Sequence, residues 1–195
     1  LSLIEFDVAA DNKSFCSQDG ALFNKEKTKL ITYPASKADT EYVVPDTVKT
    51  VGDRAFSSCE NLKKVTIPDG VTTIGESAFS SCKALESVII GGGATGIGVS
   101  AFSNCALLEE VCIGSGVKTI GDSAFLGCDS LVSITIPDSV ITVGDYAFSD
   151  CVNLAFITIG EKVTTIGAYA FSDCVGLGAV TVPHSVTTIG SRAFS

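Results

Sequence analysis

The sequence contains no methionine and no tryptophan, and His184 is its only histidine. One imidazole is too few for a zinc site built on several histidines, and no residue beside it completes a Ser-His-Asp triad. The chain also lacks a C-x-x-C pair, the usual start of a zinc-binding motif. Because it begins with Leu1 instead of methionine, we expect it to be an internal piece of a longer protein.

Positive charge is also scarce. The chain has 13 Lys and Arg against 22 Asp and Glu, which gives a formal net charge of -9. Surfaces that bind nucleic acid need clustered basic side chains, so this balance argues against a nucleic-acid partner. No run approaches the ~20 apolar residues of a membrane-spanning helix, and the first residues do not form a signal peptide. We therefore expect no membrane insertion in this segment.

The chain is rich in apolar residues that recur at a fixed interval. A mean hydropathy of +0.41 and 18% charged residues predict a folded core and exclude intrinsic disorder. An Ala-Phe pair recurs every 23 residues, and a cysteine and a leucine follow all but the last pair at constant distances. The phenylalanines of these pairs are Phe56, Phe79, Phe102, Phe125, Phe148, Phe171 and Phe194. Such a period predicts a solenoid of stacked coils.

Each unit divides into a strand, a turn and a short compact segment. In the first full unit, L-x-x-V-x-I alternates, so Val65 and Ile67 should point inward from a strand that Pro68 ends. The A-F-x-x-C segment is too short for a stable helix, so we expect a single helical turn or a loop. Stacking at ~4.8 Å then predicts a solenoid, mainly β, with one parallel sheet on one side and turns, loops and single helical turns on the other.

The first 44 residues depart from this pattern. Leu3–Val8 matches the strand motif, but the next equivalent strand residue is Val44, one period plus 13 residues later. Asp19-Gly20 separates two apolar stretches and is a strong hairpin signal. We therefore predict a variant unit with an inserted β-meander over residues 1–44. Residues 45–195 should form six to seven stacked repeats in one solenoid domain.

The string A-F-x-x-C-x-x-L-x-x-V/I-x-I-P-x-x-V-x-x-I-G at a 23-residue step resembles the BspA-like leucine-rich repeat family, and the match runs from Pro45 to Ser195. This resemblance implies a surface-exposed or secreted protein that binds other proteins. Members of the family are usually described as adhesion modules, so the implied partner is a host surface or matrix protein. The implied location is extracellular or at the cell surface.

The eight cysteines could be disulfide-bonded, bind a metal or remain buried thiols. We predict buried thiols, because stacked cysteines ~4.8 Å apart exceed the ~3.8 Å Cβ separation of a good disulfide. Gly91–Gly96 matches G-x-G-x-x-G, but the repeat resumes where a dinucleotide site needs a long helix. A weak row of acidic turn residues, Glu76, Asp122 and Asp145, lacks the dense carboxylates of a calcium loop. We expect no cofactor, no metal and no enzymatic activity.

The outward-facing residues of the predicted sheet form the best candidate for a binding surface, because solenoids commonly use this face. Phe156 stands out as an exposed aromatic anchor among small polar residues. The candidate partner-binding residues are Lys64, Thr66, Ser87, Ile89, Glu110, Cys112, Ser133, Thr135, Phe156 and Thr158. The favoured function is a non-enzymatic protein-binding or adhesion module. The alternative is a passive stalk or spacer that presents another domain.

Overall fold

The structure, a computed structural model, describes residues 3–195, so Leu1 and Ser2 of the predicted variant unit lie outside the described residues. The chain winds into a β-solenoid of about seven coils. The strands are β1 (Phe15–Gln18), β2 (Ala21–Asn24), β3 (Lys29–Thr32), β4 (Glu41–Val43), β5 (Thr50–Val51), β6 (Lys64–Ile67), β7 (Thr73–Ile74), β8 (Ser87–Ile90), β9 (Gly96–Ile97), β10 (Glu110–Cys112), β11 (Thr119–Ile120), β12 (Ser133–Thr135), β13 (Thr142–Val143), β14 (Phe156–Thr158), β15 (Thr165–Ile166) and β16 (Thr188–Ile189).

The L-x-x-V-x-I segments of the solenoid form parallel strands, as the alternation predicts, except the last one, Leu177–Val182, which forms no strand. β4, β6, β8 and β10 make a four-stranded sheet, and β12 pairs with β14. Each residue pairs with the residue 23 positions later, as Lys64 does with Ser87. Val65 and Ile67 are buried and Lys64 is exposed. The fixed repeat length therefore sets the register of this side of the solenoid.

The opposite side is more regular than predicted. We expected turns and loops there, but the short T-I segments extend and pair in parallel, forming the distal part of a ten-stranded sheet that runs from β1 to β16. Every coil has the same length, so the T-I segment of one coil lies beside the T-I segment of the next. Their backbone groups therefore meet equivalent groups one coil away and form a ladder.

The A-F-x-x-C segments are chains of tight turns, and no helix is present within residues 3–195. In every coil but the last, one left-handed residue precedes this segment and another lies within it, for example Ser77 at φ 53° and Ser81 at φ 61°. A left-handed residue interrupts the right-handed helical path. This is why the predicted single helical turns do not form, and the alternative of a loop is the one observed.

A stack of phenylalanine rings runs through the core. From Phe56 to Phe194, successive ring centroids lie 4.7–5.3 Å apart and the rings are within 12° of parallel. Tyr33 continues the stack beyond Phe56 at 5.1 Å. The rings from Phe56 to Phe148 are fully buried. Burial of this column, with the alanine, leucine and valine or isoleucine columns around it, supplies the main stabilisation of the fold.

The six ladder cysteines are buried, as predicted. Five of their thiols donate hydrogen bonds to the carbonyl of the phenylalanine 26 residues earlier, with Sγ to O distances of 2.9–3.3 Å. Burial raises the pKa of the Cys128 thiol to about 12. The Cys128 thiol therefore stays neutral, and the six cysteines fill the core next to the phenylalanine stack.

The N-terminal unit closes one end of the ten-stranded sheet. β1, β2 and β3 pair antiparallel, and β3 joins the parallel ladder through β5. Asp19 and Gly20 have φ values of 50° and 75°, as a two-residue hairpin turn requires. Leu3–Val8, which matches the strand motif, forms no strand in the structure. This segment lacks an equivalent strand beside it, and its amide at Phe6 bonds instead to the carbonyl of Gly20.

We expect Phe125→Ala to lower the free energy of unfolding by about 3–5 kcal/mol, because it removes a buried ring from the middle of the stack and leaves a cavity. Urea denaturation measures this loss. The matched control is Phe156→Ala, whose ring is 70% exposed, and we expect it to change the stability by less than about 0.5 kcal/mol. A loss below about 1 kcal/mol for Phe125→Ala would contradict the stacked-core account.

Candidate partner-binding surface

The ten candidate residues lie on the outward side of the L-x-x-V-x-I strands. Thr66 and Ser87 are half-buried, and the other eight are exposed. Val43 belongs to the same surface and was missed, although it is 65% exposed. It pairs with Thr66 across β4 and β6. Counting back 23 residues from Thr66, as the repeat allows, would have identified it.

A shallow cleft of about 560 Å³ opens on this surface between β10 and β12. Seven of the ten candidates line it, namely Lys64, Ser87, Ile89, Glu110, Cys112, Ser133 and Thr135. The structure therefore brings most of the predicted surface together around one depression. Thr66, Phe156 and Thr158 lie outside its lining, but Phe156 pairs with Ser133 and so lies one strand from the cleft.

The backbone ladder is interrupted within the cleft, between β10 and β12. At the equivalent position of β6, the amides of Lys63 and Lys64 both bond to the carbonyl of Thr40, at 2.7 and 3.0 Å. Between β10 and β12, within the part of the chain that the structure describes, no such pairing occurs. The amides of Val132 and Ser133 therefore have no backbone acceptor on the neighbouring coil.

The interruption changes the burial of two inward-type residues. Val111 and Ile113 are only half-buried and line the cleft, whereas their equivalents Val65 and Ile67 are buried. Pro137 cannot donate a backbone hydrogen bond, but the same is true of Pro68, where the ladder is intact. No single residue accounts for the break.

The cleft combines an apolar floor with charged walls. Val111, Ile113 and Ile89 supply the apolar surface, while Glu109, Glu110 and Lys64 contribute charge. Nearby, Lys63 and Glu86 form an ion pair of 2.7 Å between exposed side chains. An open depression of this composition suits a side chain of a protein partner better than an enclosed small-molecule site, which is mostly apolar and buries its ligand.

The acidic turn residues have a structural role. Asp53, Asp69, Asp122, Asp138 and Asp145 each accept a hydrogen bond from a backbone amide one repeat later, at 2.7–2.9 Å. One of these bonds, from the amide of Gly92 to Asp69, closes the Gly91–Gly96 turn onto the preceding coil. Within residues 3–195, no three His, Cys, Asp or Glu side chains cluster as metal ligands would. Nor does that part of the chain contain a helix long and apolar enough to cross a membrane.

Comparison with known proteins supplies a family. The sequence-family model described as the BspA type leucine rich repeat region matches this chain in six copies, over residues 35–155 and 95–195. No curated protein matches the sequence. Among solved structures, a leucine-rich repeat protein from Eubacterium ventriosum is 38% identical with a TM-score of 0.94, over 98% of this chain and 52% of that one.

Two more distant structures share the fold. A leucine rich cell surface protein from Faecalibacterium prausnitzii is 29% identical with a TM-score of 0.63, over 93% of this chain and 40% of that one. The pneumococcal vaccine antigen PcpA is 25% identical with a TM-score of 0.55, over 96% of this chain and 45% of that one. The chain thus spans about half the length of the first of these relatives, and less of the others.

We expect Cys112 to be the one cysteine that reacts rapidly with a thiol reagent such as DTNB in the folded protein, because it is exposed in the cleft. Cys16 is half-buried and its thiol bonds to the carbonyl of Asn24 at 3.2 Å, so it should react more slowly. Cys112→Thr should abolish the fast phase. A fast phase that persists in this variant would contradict the placement of Cys112.

Proposed function

Because the chain belongs to the family of BspA type leucine-rich repeat proteins, we propose that it is a protein-binding module and that the cleft between β10 and β12 is its binding surface. The observation that carries this proposal is the interrupted ladder. The ladder also ends after β14, but the break between β10 and β12 lies inside the run of strands, and Val111 and Ile113 are more exposed there than the equivalent Val65 and Ile67.

The composition of the surface supports a protein as the partner. Energetically important contacts in protein interfaces centre on apolar or aromatic anchors that polar groups surround. Phe156 can act as such an anchor next to the cleft, since its side chain is 70% exposed. Ser133, Thr135 and Glu110 provide hydrogen-bonding groups around the apolar floor.

We favour binding over catalysis on the chemistry of the lining residues. Cys112 is the only strong nucleophile in the cleft, and no histidine lines it. His184, the sole histidine, lies in a turn of a later coil and pairs with Glu161 at 3.4 Å. Among the described residues, no hydrogen bond joins the Cys112 thiol to Glu109 or Glu110, so the activated nucleophile that covalent catalysis uses is not formed.

The family and its relatives support a location outside the cell. The Faecalibacterium relative is described as a cell surface protein, and we propose the same exposure for this chain, on the cell surface or after secretion. The proposed partner class is accordingly a host surface or matrix protein. An adhesion role follows from that combination of location and partner.

The alternative function is a passive stalk or spacer that presents another domain. The unbroken phenylalanine stack and the ten-stranded sheet favour it, since both make the solenoid a stiff support. A stalk requires no specific binding surface. The two functions therefore differ in whether residues around the cleft affect partner binding.

The test measures binding of the chain to a panel of purified extracellular-matrix proteins coated on a surface. The double variant Phe156→Ser and Ile89→Thr introduces residues that other coils carry at the same positions, so the fold should persist. We expect it to weaken binding at least about tenfold, because it removes two apolar contacts.

The matched control is Ile141→Thr, which makes the same kind of change on the ten-stranded side, where Ile141 is 45% exposed. We expect it to leave the affinity within about twofold. Equal losses for the two variants would contradict the cleft as the binding surface. Absence of binding to every protein on the panel would favour the stalk.

A further inference from the structure

A second surface feature lies on the turns that follow the ten-stranded sheet. In each coil the second residue after the repeated glycine adopts a left-handed conformation with φ of 53–56°. These residues form a row, here called the turn ridge, that consists of Arg54, Ser77, Ser100, Ser123, Tyr146, Tyr169 and Arg192. The ridge shares no residue with the cleft.

One end of the turn ridge carries a stack of aromatic and cationic side chains. The rings of Tyr146 and Tyr169 are parallel within 2°, with centroids 4.8 Å apart. The guanidinium carbon of Arg192 lies 5.8 Å from the centre of the Tyr169 ring, within cation–π range. The repeat register holds these side chains in line, because the amides of Tyr146 and Tyr169 each bond to a carbonyl of the following coil.

The stack ends at Tyr146, and the next position along the ridge is open. The preceding coil has Ser123 there, a side chain too small to cover the ring. Within the part of the chain that the structure describes, no aromatic or cationic group lies against that face. Tyr146 is 42% exposed. One ring face is therefore available to a ligand about one coil spacing away.

The surroundings of the open face are acidic. Asp122 and Asp145 directly precede Ser123 and Tyr146, and both are exposed. Each uses Oδ1 to accept a backbone hydrogen bond, at 2.9 and 2.7 Å respectively. The Asp122 carboxylate therefore lies between the coils of Ser123 and Tyr146, on the side of the open face, and retains its second oxygen for a cation. The Asp145 carboxylate is turned toward the coil of Tyr169. The net charge of -9 also attracts basic groups to the protein.

We propose that the open face of Tyr146 over Ser123 binds an arginine side chain of a basic protein segment. The planar guanidinium stacks on the ring while its N–H groups donate to Asp122, and Asp145 adds negative charge nearby. The protein already makes one such contact, between Arg192 and Tyr169. The proposed arginine would occupy the equivalent place on the other side of the tyrosine pair.

The proposal distinguishes arginine from lysine. An ammonium has the same charge but no planar surface to stack on the ring. Attraction by the acidic residues alone would treat the two alike and would weaken with salt. A preference for arginine that depends on the Tyr146 ring is therefore the property to measure.

The experiment measures binding of fluorescently labelled hexa-arginine and hexa-lysine peptides to the full chain by anisotropy at low salt. We expect the arginine peptide to bind about two- to fivefold more tightly than the lysine peptide, the range that an exposed cation–π contact supplies. Tyr146→Ser should remove this preference. Tyr146→Phe should retain it, because the ring remains.

Serine is a suitable replacement because three coils carry it at this position with the same backbone conformation. Asp122→Asn with Asp145→Asn keeps the hydrogen-bond acceptors and removes the charges, so it should weaken binding of both peptides. The proposal is overturned if the wild-type protein binds both peptides equally, or fails to bind either. It is also overturned if Tyr146→Ser keeps the arginine preference.

Discussion

In-register stacking of identical residues is the constraint on which the rest of this structure depends. A constant repeat of 23 residues places each phenylalanine over the next one, at ring separations of 4.7–5.3 Å. The same register pairs the backbone of successive coils on both sides of the core. A single coil could not bury its own apolar residues, so stability arises from the contacts between coils.

The same constraint divides the positions of each coil into inward ones that maintain the fold and outward ones that are free to serve binding. Inward positions repeat closely because every one of them packs against its equivalents, whereas outward positions vary with little effect on the core. The two surfaces proposed for binding follow from this freedom. The cleft arises where the outer ladder opens between β10 and β12, and the tyrosine pair lies where two coils replace serine on the turn ridge.

Periodicity made most of the fold predictable, because burial repeats with the sequence. The buried columns, the strand around Val65 and the outward position of Phe156 all follow from it. The left-handed residues were harder to foresee, since arginine, serine and tyrosine share that conformation along the ridge. Segments as short as Thr73–Ile74 pair in parallel, and the ladder lacks a backbone pairing at Ser133. Both features arise only when coils stack, so the sequence of a single repeat does not reveal them.

The proposed binding cleft depends on the absence of backbone hydrogen bonds between β10 and β12. Hydrogen exchange of individual backbone amides measures it most directly. The amides of Ser87, Glu110 and Phe156 bond to the preceding coil, so we expect slow exchange there and fast exchange at the equivalent Ser133. Protection of Ser133 equal to that of the other three amides would show a continuous ladder and contradict the account.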